Sequence, residues 1–427
     1  MPSPHLRLAA IGCGNRTQVY LALAARLPDR YVITAAADRN PPRLARVREL
    51  ACNPEFQEFS DANALLAEPP LADLMIIGTQ DADHFAHATA ALRRGYDLLL
   101  EKPIATSVSD MLAVEKLARD LGRRVIVCHV LRYTPFYRKV QELVARGTIG
   151  KLVAFEATQG IGPWHQAHSY VRGHWSVAEK STPMTVANSC HDLDIISWLA
   201  DAPCTQVSSF GGLAHFRADQ APAGAPARCT DGCPVAATCP YDAHRYLTDK
   251  KTHWLNLVYD RATTASDAEI IGWLRTSKWG RCVYHCDNTT VDHQAVNLQF
   301  ANGITGNFTL TAFSEGRDLA LFGTKGRLLA GSRVKHITGH DILFDDFTQN
   351  TAVPISIPTN QDGWHGDADS ALMYDLPTEL QKTNATDMLT SIERSVDSHL
   401  MGFAAEVSRQ TGRSVDLAVF RNQNCPI

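Results

Sequence analysis

The 427-residue chain has no stretch approaching the roughly 18 continuous apolar residues of a membrane span. It also lacks a long basic run. Its 41 Lys and Arg against 45 Asp and Glu leave a formal net charge of −4. Neither a membrane nor a nucleic acid is therefore the expected partner. Only Met1–His5 precede the first apolar segment, too little for a secretory signal, so a cytoplasmic protein is expected. No internal repeat is visible. The length exceeds one ordinary core and points to two or three domains.

Cysteine is not scarce: there are eleven, an odd number. A reducing compartment argues against a full set of disulfides. Cys229, Cys233 and Cys239 lie together in an irregular segment rich in Ala and Pro, at about residues 217–245, and Cys282 and Cys286 form a second cluster. Three thiols there could ligate a structural zinc with Cys286, or Cys282 in its place, as fourth ligand. The spacing is not that of a standard knuckle, and free thiols packed in a loop are the bland alternative.

The first part of the chain alternates strand and helix, which implies a parallel sheet with right-handed crossovers. Its strands are read at Leu6–Ile11, Tyr31–Ala37, Leu74–Gly78, Asp97–Leu100 and Val125–Cys128. After that the pattern changes. Met184–Leu199 reads as one helix, and Val296, Leu298 and Phe300 alternate with polar residues before an Asn302-Gly303 turn, which signals a hairpin. The expected organisation is a nucleotide-binding domain over 1–128 and, over 129–427, an α+β domain with an open, mostly antiparallel sheet.

Gly12, Gly14, Asn15 and Arg16 occupy the turn between the first strand and its helix. Glycine there lets a pyrophosphate approach the backbone, and its charge meets the helix N-terminus. Thr17 stands where a third small residue is usual. The turn therefore predicts an α/β Rossmann domain. Asp38 ends the second strand, where an acid accepts from ribose hydroxyls and repels a 2′-phosphate, favouring NAD, while Arg39 beside it softens that preference. Glu101-Lys102-Pro103 lies at the C-terminal end of a later strand, the edge where open α/β sheets bind ligands. A lysine there can stabilise developing alkoxide charge.

These pieces, with Thr79–His84 and the Cys190-His191-Asp192-Leu193-Asp194 helix, resemble the Gfo/Idh/MocA family of glucose–fructose oxidoreductase- and inositol dehydrogenase-like enzymes over essentially the whole chain. The resemblance implies a sugar, glycoside or cyclitol as substrate. It implies a homodimer or homotetramer formed through the open sheet. It also places Thr79, Gln80, His84 and Glu101 beside the cofactor, and Lys102 and His191 on either side of the reacting carbinol. Many relatives carry an aspartate four residues before that histidine, where this chain has Ala187. Others carry a lysine three before, where it has Asn188. Asp194, one turn after His191, could orient it. Arg132, Tyr133, His165, Arg172 and Trp175, with His293 at the start of the hairpin, mix forked donors and flat apolar faces, as a polyol site requires. The expected activity is NAD-dependent oxidation of a ring hydroxyl. The alternative is a glycoside hydrolase that uses NAD transiently, through oxidation, elimination, hydration and re-reduction.

Overall fold

In the computed structural model, which describes residues 5–358 and 367–425, two sheets account for the architecture. The first has six parallel strands: β1 (Leu6–Ile11), β2 (Tyr31–Ala37), β3 (Gln57–Phe59), β4 (Leu74–Ile77), β5 (Asp97–Leu100) and β6 (Val125–Val127). Their order is β3-β2-β1-β4-β5-β6. The order reverses at β1, which opens a crevice at the strands' carboxyl ends between β1 and β4. The central strands are buried on both faces, hence their near-continuous apolar composition.

The second sheet has nine strands: β7 (Leu152–Ile161), β8 (Cys204–Gly212), β9 (His293–Phe300), β10 (Thr305–Thr311), β11 (Glu315–Gly323), β12 (Gly326–Gly331), β13 (Ile342–Asp346), β14 (Thr351–Ile355) and β15 (Val415–Asp416). Their order is β14-β13-β12-β11-β7-β10-β9-β8-β15, and only the β7–β10 pair is parallel. The hairpin read at Asn302-Gly303 joins β9 to β10, with Gly303 at φ +87. Helices Cys190–Ala200 and Ile392–Thr411 supply the apolar side chains that cover one face. The other face is open, and Phe210 stands 65% exposed on it.

Three differences from the sequence reading have physical causes. The single helix read at Met184–Leu199 is two, Met184–Ala187 and Cys190–Ala200. The break falls at Asn188 and Ser189, whose side chains bond to Gln159 of β7 (2.6 and 2.7 Å); short polar side chains readily compete with helical backbone. The segment that interrupts the sheet between β8 and β9 is wider than 217–245. It has its own small aromatic core around Tyr246, Trp254, Leu274 and Trp279. Helix Ala368–Glu379, absent from the sequence reading, returns to the first sheet and buries Leu372, Met373 and Leu376 against Tyr20 and Tyr31. Among the described residues no helix is long and apolar enough to cross a membrane.

Candidate active site

The glycine turn is built for close approach. Gly12 has φ +82, and a Cβ there would meet Thr79 at 2.6 Å and the Gly78 backbone at 2.9 Å. Thr17 takes the third small-residue position because Gly78 has yielded the space. The Thr17 hydroxyl donates to the Gly12 carbonyl (2.6 Å), and a Cβ on Gly78 would stand 2.1 Å from it. Gly14 caps helix Asn15–Ala25 without a side-chain cap, and nothing lies within 4 Å of where its Cβ would be. A helix N-terminus with free backbone donors and open space in front suits a pyrophosphate. Asn15, Arg39 and Gln80 are exposed along the same edge. Asp38 closes the turn by accepting from the Cys13 and Asn40 amides (2.6 and 2.7 Å). These residues fit an NAD dinucleotide.

Other residues expected at the cofactor act behind it. Arg16 bonds to Glu101 (3.0 Å), Asp369 (2.6 Å) and the Tyr20 hydroxyl (2.6 Å). Glu101 is 6% exposed. Burial pushes its carboxyl up, but Arg16, Lys102 and Tyr20 outweigh that and hold it below the usual range. The side chains of Arg16 and Glu101 therefore brace the turn against helix Ala368–Glu379. His84 lies 2.6 Å from the Pro103 carbonyl and 3.2 Å from that of Thr79, linking the β4 and β5 loops.

Lys102 leaves the end of β5 and crosses to the second domain, where its ammonium donates to the Ala187 carbonyl (3.0 Å). Ala187 ends the short helix that precedes His191, which sits in the first turn of helix Cys190–Ala200 and is 5% exposed. Lys102 and His191 are thus brought into one region. Around them, burial and the nearby Lys102 charge push the His165 imidazole down to about 3. His165 packs at a tilt against Trp254 (4.7 Å between ring centroids) and Tyr170 (5.5 Å). Trp175 donates to the Asp81 carboxylate (2.7 Å), another link across the cleft.

Several residues expected at the substrate have other partners. Arg132 and Asp194 form a buried two-pronged ion pair (2.6 and 2.8 Å), so Asp194 does not orient His191 and Arg132 has no free fork. Tyr133 is buried in the first domain's core and bonds to Thr390 (3.1 Å). His293 points outward on β9, held by Asp292 (2.8 Å). Arg172 lies among the cysteines, donating to the Arg281 and Tyr241 carbonyls (both 2.7 Å) and 3.6 Å from the Cys229 sulfur.

The zinc expectation is corrected here. Cys229, Cys233, Cys239 and Cys282 line one small cavity with Arg172, while Cys286 is not among its walls. Among the described residues no three His, Cys, Asp or Glu are placed to hold a metal ion. A buried guanidinium already supplies the positive charge in this group. Burial also pushes the Cys229, Cys239 and Cys282 thiols up, favouring the protonated form that does not ligate.

Sequence reasoning missed His129. It lies two residues past the end of β6, at the same sheet edge that singled out Lys102, and that position was the available signal. The ring is fully buried, with edge contacts to His191 (5.5 Å between centroids) and His399 (5.3 Å). Burial first, then Arg132 and Lys102, depress its proton affinity. The Asp192–Arg317 pair (2.7 Å), beside His191, also went unread.

Comparison with known proteins gives a consistent picture. Residues 6–129 match the family described as "Oxidoreductase family, NAD-binding Rossmann fold", and residues 137–329 match the "GFO/IDH/MocA C-terminal domain". YteT of Bacillus subtilis (strain 168), which carries the name of an oxidoreductase, is 24% identical over 397 residues, 89% of this chain and 90% of its own. An inositol 2-dehydrogenase of Rhodococcus jostii is 25% identical over 48% of this chain and 52% of its own. An Agrobacterium radiobacter oxidoreductase, solved with NAD+, L-tartaric acid and magnesium, superposes with TM-score 0.67 at 16% identity, covering 97% of this chain and 99% of that one.

Proposed function

The chain belongs to the Gfo/Idh/MocA family of NAD-binding oxidoreductases, and on that premise we propose that it oxidises a ring hydroxyl of a sugar, glycoside or cyclitol. The observation that carries this reading is the reach of Lys102 from the Rossmann edge to the Ala187 carbonyl, directly before the His191 helix. At this junction a cation from the first domain and an imidazole from the second can meet one carbinol.

NAD would lie along the β1 turn and Asp38, and when bound it supplies the hydride acceptor. The chain's own groups handle the proton and the charge. Lys102 has two ammonium protons beyond the one on Ala187, enough to hold a substrate oxygen as it becomes alkoxide-like. The His191 imidazole receives the hydroxyl proton. Asn188, where some relatives carry lysine, is bonded to Gln159 and takes no part in proton transfer. His165, partly exposed and backed by the buried Tyr170 and Trp254 rings, offers a flat face for the C–H side of a ring. The inositol dehydrogenase relative supports a ring of secondary hydroxyls as the substrate class. The uncovered sheet face, on which Phe210 is exposed, is the surface through which a homodimer or homotetramer would form.

A panel of cyclitols, free sugars and aryl glycosides, followed at once for NADH and for released aglycone, tests the proposal. Stoichiometric NADH from at least one ring polyol is expected. Aglycone release without net NADH would instead mean that the oxidation is transient. Tight NAD binding with no turnover across the panel would overturn the enzymatic reading.

A further inference from the structure

The adenosine end of the nucleotide groove is not built by the Rossmann domain alone. Beyond Asp38 the chain turns through Arg39 and Asn40 into the helix that carries Arg43. Onto this turn comes Asp260, 220 residues further along the sequence, from the segment between β8 and β9. The Asn40 side-chain amide donates to one Asp260 oxygen (3.1 Å), and the Arg43 guanidinium lies 3.7 Å from the other. Both neighbours of Asp260 are anchored within their own segment. Tyr259 stacks on Trp273 (4.9 Å), and Arg261 pairs with Glu269 (2.6 Å). The backbone therefore presents this one carboxylate to the Rossmann turn.

The turn without Asp260 would be ambiguous. Asp38 accepts from a ribose hydroxyl and repels a 2′-phosphate. Arg39 and Arg43, however, place two guanidiniums within the same few residues, the side chain used to receive a 2′-phosphate. Asp260 changes that balance in two ways. It draws Arg43 into an ion pair, and it adds a second negative charge near Asp38.

We propose that Asp260 is a specificity-determining residue for the cofactor, through which the inserted segment excludes a 2′-phosphorylated dinucleotide. The proposal rests on the reading of the β1–Asp38 edge as the NAD site. Its effect is bounded by exposure, since Asp260 and Arg43 are 55% and 37% exposed and water screens them. A contribution of up to about fivefold in affinity is the scale for such a surface charge.

NADH and NADPH affinities of the full chain, measured by fluorescence titration at low and high salt, test this. Asp260→Asn should bind NADPH roughly fivefold more tightly than wild type, with NADH affinity unchanged and the gain reduced by salt. Asp260→Lys should extend the gain, and Asp260→Glu should keep the wild-type ratio. Asp267→Asn, a neutralised exposed acid on the same segment, should leave both affinities as they are. An unchanged NADPH affinity in folded Asp260→Asn and Asp260→Lys would overturn the proposal alone. So would an equal loss of both cofactors, which would mark a structural clasp. A wild-type protein that binds neither dinucleotide would overturn the cofactor-site reading and this proposal with it.

Discussion

Lys102 and His191 reach the same region from opposite domains, and their neighbours differ in what they can do there. Lys102 is tethered at the Ala187 carbonyl, so its ammonium is positioned before any substrate arrives. His191 lies against the edge of the neutral His129 ring, and Asp194, one turn further along its helix, is taken up by Arg132. Lys102→Met and His191→Ala should each lower turnover of the polyol found in the panel by on the order of 10²–10⁴-fold. NAD affinity and melting temperature should stay near wild type. Near-normal rates in His191→Ala at neutral pH would show that the imidazole is not the base. Lys102 was legible in the sequence because position at a strand's carboxyl end is a local property. Arg132, Tyr133, Asp194 and His293 were not, because closeness in sequence to the cleft does not fix which way a side chain points. Arg132 turns inward to meet Asp194, which helix Cys190–Ala200 brings from 62 residues away, and the Leu389 carbonyl.

At the scale of elements, the β1 turn shows how a departure from a pattern is absorbed. A threonine replaces a small residue in the helix, and the missing space is supplied by Gly78 at the end of β4, a strand away in the sheet. Gly78→Ala should therefore be destabilising, since its methyl would meet the Thr17 hydroxyl, and it should weaken NAD binding by displacing the turn. Thr17→Ala removes that hydroxyl and leaves the remaining contact at an ordinary 3.5 Å. It also loses the hydrogen bond to Gly12, worth roughly 1 kcal/mol. The double variant should accordingly recover much, though not all, of the stability lost in Gly78→Ala. Strictly additive effects in thermal melts would show that the two positions do not share the space. The pairing of Thr17 with Gly78 is long-range, as is the Asn188–Gln159 bond that splits the helix. The alternating strands and the Asn302-Gly303 hairpin were readable for the opposite reason: period and turn chemistry are local. Helix Ala368–Glu379 escaped notice because its Pro377 and mixed faces leave no clear period.

Across the whole molecule, histidines buried at the domain junction and behind it, against the segment between β8 and β9, are kept neutral. His165, His168 and His399 are each pushed down to about 3, by burial above all. His399 shows the neutral state directly. The Ile104 amide donates to its Nε2 (3.2 Å), so the proton sits on Nδ1, 2.8 Å from the Ser395 carbonyl. The unfolded chain, with histidines near 6.5, takes up protons that the folded chain refuses. A depressed folded value gives stability that is fully present above about 6.5 and lost as pH falls toward 3. Near pH 5 each such histidine should contribute a slope of about 1.4 kcal/mol per pH unit. Burial moves Asp192 and Asp194 upward, so their protonation relieves the fold as acidity increases. The histidine signal is therefore cleanest at the top of the window. Melting temperature should begin to fall between pH 7 and 6 and continue falling to pH 5, above the range where ordinary carboxylates titrate. Unfolding should consume protons over that range, measured from the dependence of the calorimetric enthalpy on buffer ionisation heat. His399→Gln keeps a donor and an acceptor at the site but cannot be protonated, and should reduce the uptake by about one proton. A melting temperature that stays flat from pH 7 to pH 5 would mean that the domain junction opens to solvent and the histidines titrate as free groups do.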